Sequence, residues 1–578
     1  MDLRSQLRLT DEWNGDNFFY PVGALRSICR QEPIRIELAA VFPDWAPDKV
    51  NARAEQVCSD GMDGPDSMTR LFVILILIRR LQHLESFIAE GIKDCHLPLS
   101  FGRQGRELTY GPQDATVESC GGWEMGSISD FHFVQKKVLA PCFQRCTAGK
   151  VTSQLINPEV FMPWTEKEAL KENDNGNYSR VYAVKIHENH HQFVRHDFPN
   201  ALTPFLERFP LLTMDYVCCQ MGEGGQRRDR FALKVLKSRH KRRYLNELEC
   251  LNRCAERDNL VELYGAYERG DKYSFLFPWA DGGSLRTLWT WEPRDWSRSK
   301  PLINSVRWIA YQCYRMASEQ GLGSIHDRRE SFDEKQFGIH GDIKPENILL
   351  FTDQETRHGP GVLKISDMGF TGFYTVRSRS RLSPLGPCSP TYRAPEHDIK
   401  NRFLSRKSDI WGLGCVFSEF LSWFILGPNG VKNYNWKRYH DTYDDDHLQG
   451  DDFFRPFDGD DGSTVGADLK PSVIEWIDEL CDIVGTSNFF SEFLTYIRDN
   501  MLVVDCQKRA ECHDVSESLR VIYGKCLDSK PYCTPSKLPF HTENLEEQEE
   551  QGKLKRGASD VGADSHDSRF KRARYFRG

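Results

Sequence analysis

The stretch Gly338-Ile-His-Gly-Asp342-Ile-Lys344-Pro-Glu-Asn347-Ile-Leu-Leu350, followed by Leu363-Lys-Ile-Ser-Asp367-Met-Gly369-Phe370, decides how this chain is read. It reads as an apolar strand, a polar loop, a second strand, a turn and a second polar loop. Each loop presents one Asp, and the first adds a Lys two residues on and an Asn five residues on. Phosphoryl transfer asks a protein for little more. It needs a carboxylate to orient the attacking hydroxyl, oxygens to hold Mg²⁺ on the phosphates, and a cation to spread the transferred charge.

This arrangement resembles the protein kinases, and the Asp-Ile-Lys-Pro-Glu-Asn string is of the Ser/Thr type. The resemblance implies that Asp342 is the catalytic base, that Lys344 contacts the γ-phosphate of ATP, and that Asn347 and Asp367 hold Mg²⁺. Working downstream, Ala394-Pro395-Glu396 is similar to the end of a kinase activation segment, with Ser389 where a Thr usually lines the substrate loop. Ser408-Asp409-Ile-Trp411-Gly resembles the buried helix whose Asp braces the catalytic loop, and Arg509 falls where a kinase Arg pairs with the Glu396 position. The implied fold is α+β and bilobal: a small five-stranded β lobe with one helix, then a large helical lobe.

Upstream, two lysines fit a small-apolar-Lys pattern, in Ala183-Val-Lys185 and Ala232-Leu-Lys234. The glycine loop falls at Asp174-Asn-Gly176-Asn-Tyr178-Ser179-Arg-Val181, and only nine residues separate Gly176 from Lys185. Strands average about five to six residues, so a hairpin, a turn and a third strand do not fit in that space. Lys185 is therefore assigned to the second strand and Lys234 to the third, Phe231 to Leu236. The segment Tyr244 to Cys254 has helical spacing and carries Glu247 thirteen residues after Lys234, which suits the kinase Lys–Glu pair. Glu249 is the alternative partner.

The hinge resemblance lies in Phe275-Leu-Phe277-Pro278-Trp279-Ala280-Asp281, with Phe277 as gatekeeper. Adenine would bond to the carbonyl of Pro278 and the backbone of Ala280; Pro is tolerated there because its carbonyl suffices. Gly176 and Val181 complete the implied nucleotide site. Three departures stand out. Asp174 and Ser179 replace two of the three loop glycines, Met368 replaces a Phe, and Gly341 stands where many kinases carry an Arg that pairs with activation-loop phosphate. These departures make a pseudokinase, an ATP-binding or scaffold module, the alternative to an active enzyme.

The outer parts carry less chemistry. The 578 residues allow two to four domains, and 39% hydrophobic content with a net charge of −8 excludes full disorder and a chain-wide polyanion binder. The 18 cysteines show no CxxC pair, so free thiols are expected. Met1–Thr10 lacks an apolar signal core and Leu71–Ile78 is too short to span a bilayer, so an intracellular protein without a membrane partner is expected. Residues 1–164 are expected to form a mostly helical region of unknown role, with one helix from Met68 to Gly91 stopped by Gly91 and Asp94. The kinase-like domain is placed at 165–530, with insertions near 187–229, 323–337 and 424–470. Asp441–Asp461 is acidic and reads either as a surface that steers basic protein substrates or as a solvated loop. The charged segment 544–578 is expected to be disordered. Its basic clusters read as a bipartite nuclear address, an electrostatic arm or a solvated tail, consistent with a cytoplasmic or nuclear location, and nucleic acid is not expected as a partner. The wider combination of features resembles a group of kinase-like proteins common in filamentous fungi.

Overall fold

The apolar run Leu71–Leu77 is buried along its whole length in the computed structural model, where it forms the centre of an N-terminal helical core. The structure describes residues 3–8, 12–14, 17–59, 64, 66–102, 106–144, 150–170, 179–193, 230–237, 240–293, 301–326, 336–352, 359, 361–375, 389–399, 404–441, 450–459 and 463–535. Contacts divide the chain into two units, Met1–Arg257 with Val261–Trp279, and Asp258–Leu260 with Ala280–Gly578.

In the first unit, helices α1 (Gln31–Val41), α2 (Pro47–Cys58), α3 (Thr69–Leu77), α4 (Leu84–Glu90) and α5 (Met125–Val138) share one core. Each fully buried Leu, Ile or Phe there contributes about 1.5–3 kcal/mol. The single helix expected from Met68 to Gly91 is in fact two. Arg79 takes φ 59°, and the Arg80 N–H reaches back to Leu75 O at 2.8 Å, a left-handed helix end. A short 3₁₀ turn, Leu81–His83, follows before α4, which does end at Gly91 with φ 77°. Asp94 has the opposite role to the one expected. Its carboxylate accepts the N–H groups of Arg70 and Leu71 at 2.9 and 2.8 Å, and so caps the start of α3. The Gly-rich stretch after it holds a small antiparallel sheet of β1 (Ser100–Phe101), β2 (Leu108–Tyr110) and β3 (Ala115–Thr116).

The main sheet has six strands rather than five. They are β4 (Ser153–Ile156), β5 (Trp164–Ala169), β6 (Ser179–Ile186), β7 (Arg230–Leu236), β8 (Gly265–Arg269) and β9 (Lys272–Pro278), in the order β4-β8-β9-β7-β6-β5. The sixth is β4, which pairs parallel with β8 and comes from the region before residue 165. Phe143 and Ile156 from that region also enter the sheet's core beside Trp164, Leu233 and Leu276. One helix, α6 (Lys241–Arg253), belongs to this half. Much of the insertion near 187–229 lies outside the described residues, as do Gly176, the activation-segment serines 378, 380 and 383, and the tail after 535.

His190, at the start of that insertion, ties the sheet to the N-terminal helices. Its Nε2 accepts the Val22 N–H at 3.1 Å and its Nδ1 faces Pro141 O at 2.9 Å, an arrangement that the neutral Nδ1–H tautomer satisfies.

The second unit is helical around α7 (Leu302–Ala317), α8 (Leu322–His326), α9 (Arg406–His440), α10 (Pro471–Val484), α11 (Phe489–Tyr496) and α12 (Cys512–Asp528). Helix α9 is interrupted at Gly427, which takes φ 71° just before Pro428. By length and composition it is apolar enough to cross a membrane, yet 94% of its most apolar window is buried inside the fold, as in a core helix. The insertion expected near 424–470 is therefore the end of α9 followed by a hairpin, β14 (Phe454–Asp458) with β15 (Thr464–Leu469). Strands β10 (Gln336–Ile339) and β13 (Gly372–Thr375), and β11 (Ile348–Phe351) and β12 (Val362–Ile365), form two further antiparallel pairs.

Burial, with the nearby charges of His187 and Arg70, pushes the His190 pKa down to about 4. A histidine that must stay neutral when folded loses stability as pH falls, because below about 6.5 only the unfolded chain takes up the proton. Between pH 7 and pH 5 the wild type should lose about 2 kcal/mol through this group, and His190→Gln should flatten that part of the curve. Urea denaturation across that range checks it; identical slopes for the two proteins would contradict the assignment.

Candidate active site

In the first unit, one group of the expected site residues is built on β7 and α6. Alternation along Phe231–Leu236 turns Lys234 to the face covered by α6, and its Nζ donates to Glu247 Oε1 at 2.6 Å with both groups buried. Glu249 pairs instead with Arg253 one turn on, at 2.5 Å. Lys185 lies on β6 and makes an exposed pair with Glu166 on β5, also at 2.5 Å. Val181 on β6 stands directly opposite Lys234 in the strand register. Pro278 is the last residue of β9, opposite Phe231, and Phe277 faces Ala232. Ala280 lies in the second unit, so the chain passes from one unit to the other just after Trp279.

In the second unit, the other expected site residues lie on a pair of loops cross-braced by backbone bonds. Asp342 and Asn347 are both buried, Asn347 closes the 3₁₀ turn Pro345–Asn347, and its Nδ2 donates to both Asp342 O (2.8 Å) and Asp342 Oδ2 (3.0 Å). The Asn347 side-chain Oδ1 takes no part in these two bonds. Lys344 Nζ lies 2.6 Å from Asp342 Oδ2. The Ser366 N–H donates to Asn347 O at 2.8 Å and so carries the next residue, Asp367, alongside. Asp367 holds φ 67° and ψ 72°, left-handed values that cost a non-glycine residue about 1–3 kcal/mol and mark a functional position. Asp342, Lys344, Asn347 and Asp367 are thus gathered on adjoining loops. Two carboxylates and an amide oxygen are hard donors of the kind Mg²⁺ takes.

Asp409, in the first turn of α9, holds the first loop. Its Oδ2 accepts the His340 N–H and its Oδ1 the Gly341 N–H, each at 2.8 Å, and His326 Nε2 donates to Oδ2 at 2.8 Å. Burial works to raise this carboxyl's pKa, but the His326 bond and charge, with His340 and the Gly341 N–H, outweigh it and hold the group below the usual range. Gly341 takes φ 81°, where a side chain is strained, so the glycine that removes a phosphate-pairing Arg also relaxes the loop.

The sequence profile described as "Protein kinase domain" matches residues 218–519, just over half of the chain. The chain belongs to the protein kinase family. Its relatives include the serine/threonine-protein kinase chk1 of Schizosaccharomyces pombe, 29% identical over 182 residues, 31% of this chain and 31% of that kinase. Cyclin-dependent kinase 2 of Caenorhabditis elegans is 27% identical over 178 residues, 31% of this chain and 41% of that kinase. The chain spans between about a fifth and two-fifths of the length of the curated relatives it matches. The family match begins inside the insertion before β7, so β4, β5 and β6 lie ahead of it.

In this kinase domain, Glu396 and Arg509 form the pair expected from their spacing: two bonds at 2.8 and 2.9 Å, fully buried, with Ser408 Oγ adding a third at 2.7 Å. Ser389 sits at the acceptor end of the loop, its N–H 3.4 Å from Asp342 Oδ1. Several residues escaped the sequence reading. His326 carries no motif, and its bond to Asp409 spans 83 residues. Glu419 is a lone acid in the apolar stretch of α9. It accepts Tyr392 OH at 2.8 Å and Arg438 Nη2 at 2.6 Å, both arginine and acid being fully buried. Asp444, Asp445, Asp446, Asp460 and Asp461 of the acidic segment lie outside the described residues, Asp458 is exposed, and three of its other acids have partners within the fold. Asp441 accepts the Ser472 N–H at 2.8 Å, Asp451 accepts Thr391 Oγ1 at 2.6 Å, and Asp452 pairs with Lys470 at 3.1 Å. These acids serve internal partners.

Arg509→Met leaves Glu396 charged and buried without its cation, and should lower the unfolding free energy by about 3–5 kcal/mol. Adding Glu396→Gln should restore much of that loss. Urea denaturation of the two variants reads both effects, and a single variant as stable as wild type would show that the pair is not a structural clamp.

Proposed function

We propose that the protein is an ATP-dependent Ser/Thr protein kinase that transfers the γ-phosphate of MgATP to protein hydroxyls. One observation carries this reading: within the second unit Asp342 is in contact with both Lys344 and Asn347, and the next loop, which carries Asp367, is braced against Asn347. ATP use is what membership of the kinase family implies.

In this reading Lys234, oriented by Glu247, binds the α- and β-phosphates, and the backbone around Pro278 and Ala280 takes the adenine beside Val181 and Gly176. Asp367 and Asn347 hold Mg²⁺, which when bound neutralises phosphate charge. Asp342 accepts a hydrogen bond from the substrate hydroxyl and takes its proton as the bond to phosphorus forms. Lys344, already beside Asp342, supplies positive charge where it develops on the transferred group. The Ser/Thr preference rests on the Asp-x-Lys-x-x-Asn loop and on Ser389 beside Asp342. Gly341 favours a loop that does not depend on an Arg–phosphate contact for its order. The pseudokinase remains the second reading, and the observation favouring it is the single glycine left in the 174–181 loop.

Asp342→Asn should lower phosphate transfer to a model protein by about 10²–10⁴ while ATP binding survives. Lys234→Met and Asp367→Asn should abolish transfer. Labelled ATP with Mg²⁺ measures all three beside wild type. Folded wild-type protein that binds ATP and transfers nothing would select the pseudokinase, and unchanged turnover in Asp342→Asn would remove Asp342 as the base.

A further inference from the structure

Helix α6 carries Glu247, so whatever fixes this helix sets the Lys234–Glu247 pair. A single row across the sheet links Lys234 on β7 to Phe275 on β9, Ala266 on β8 and Ser153 on β4. Residues in one row project to the same face, and strands lie about 4.8 Å apart, which sets Ser153 about 14 Å from Lys234 along that row. Helix α6 is bound to both ends of it. Glu247 takes Lys234 Nζ, and one turn earlier Tyr244 donates its OH to Ser153 Oγ at 2.6 Å. The buried Tyr244 ring lies 5.1 Å from Phe275 and stacks on Tyr273 at 4.8 Å.

A third anchor grips the end of the helix. Asn252 Oδ1 accepts the Val151 N–H at 2.7 Å, and its Nδ2 donates to Val151 O at 2.8 Å. At about 100° per residue, Asn252 points about 140° around the axis from Glu247, so α6 is held on two sides and cannot turn Glu247 away without breaking one of these bonds. Burial alone does not account for β4. Two of its four residues are exposed, and Leu155 is 81% exposed. Beyond its ladder with β8, the strand is attached by the buried Ile156, by Ser153 Oγ 3.5 Å from Glu268 Oε1, and by its polar contact with α6.

We propose that Val151–Ile156, which lies ahead of the family match, is an intramolecular positioning element for the Lys234–Glu247 pair, acting through Ser153, Tyr244 and Asn252. These are positioning residues, and the proposal rests on the reading of Lys234 and Glu247 given above. The element supplies from the same chain what holds α6 in its paired position.

The test uses the full chain. Tyr244→Phe deletes one oxygen, Asn252→Asp keeps the acceptor and loses the donor, and Tyr244→Phe/Asn252→Ala removes all the side-chain bonds. Amide hydrogen exchange should quicken about tenfold or more across Lys241–Arg253 in the combined variant and stay unchanged in Arg406–His440. The KM for ATP should rise about tenfold in the combined variant, with Asn252→Asp in between. A merely structural role would shift exchange everywhere and leave KM alone. Exchange and KM equal to wild type in the combined variant would overturn the proposal, and if that variant does not fold, Tyr244→Phe decides by the same readings. Absence of transfer by wild type would instead strike the functional reading, while exchange in α6 and titration with ATP still decide the role of the element.

Discussion

The carboxylate of Asp409 sits in the first turn of the long helix α9, and from there it accepts two consecutive backbone N–H groups and one imidazole. Those bonds are the reason the loop from His340 to Asn347 has one shape. A backbone pinned at His340 and Gly341 leaves Asp342 little freedom, and the amide of Asn347 then closes on it. The second loop inherits that order through the Ser366 N–H on Asn347 O and through His340 Nε2 beside Ser366 O, at 3.1 Å. The strain at Asp367 persists because its neighbours over-determine it. An anion at the base of α9, far down the sequence from both loops, thus fixes where the chemistry-bearing groups stand.

Buried charge recurs through the same unit, each time with a partner. Glu396 with Arg509 and Glu419 with Arg438 are pairs whose Coulombic attraction mainly repays desolvation, so their contribution is less to net stability than to a single arrangement of the segment between residues 389 and 399. Tyr392 is where they converge. It donates to Glu419, it lies beside Arg286 with its own Glu346 pair, and Thr391 next to it is held by Asp451. The segment that follows the activation loop is therefore anchored from α9, from the catalytic loop and from the chain just before the β14–β15 hairpin.

The sequence was most legible where chemistry and spacing coincide. Lys234 was separable from Lys185 by counting residues, while Glu249 stayed open beside Glu247 until their partners, Arg253 and Lys234, decided between them. Asp409, Glu396 and Arg509 were legible because each stands inside a short pattern. The failures have physical causes. Spacing of three and four runs unbroken through Leu77–Leu84, so periodicity gives no sign that Arg79 adopts a left-handed helix end. Strand β4 has four residues and pairs in parallel with a partner more than a hundred positions on, and no local signal announces such a contact. Asp94, His326 and Arg438 act on targets remote in sequence, and a lone polar residue looks the same there whether it is solvated or buried.

The order of the six-stranded sheet also bears on how this protein can be divided. The stretch matched by the family profile, residues 218–519, keeps only β7, β8 and β9 of that sheet. A fragment cut there would strip β6 from one side of β7 and β4 from one side of β8, turning two interior strands into open edges. Unpaired edges are templates for intermolecular pairing, the more so one as apolar as β7 with Phe231, Leu233, Val235 and Leu236, so such a fragment is suited to aggregation rather than to independent folding. The limits of the family and the limits of the foldable body do not coincide in this chain, and β4, β5 and β6 belong to the second.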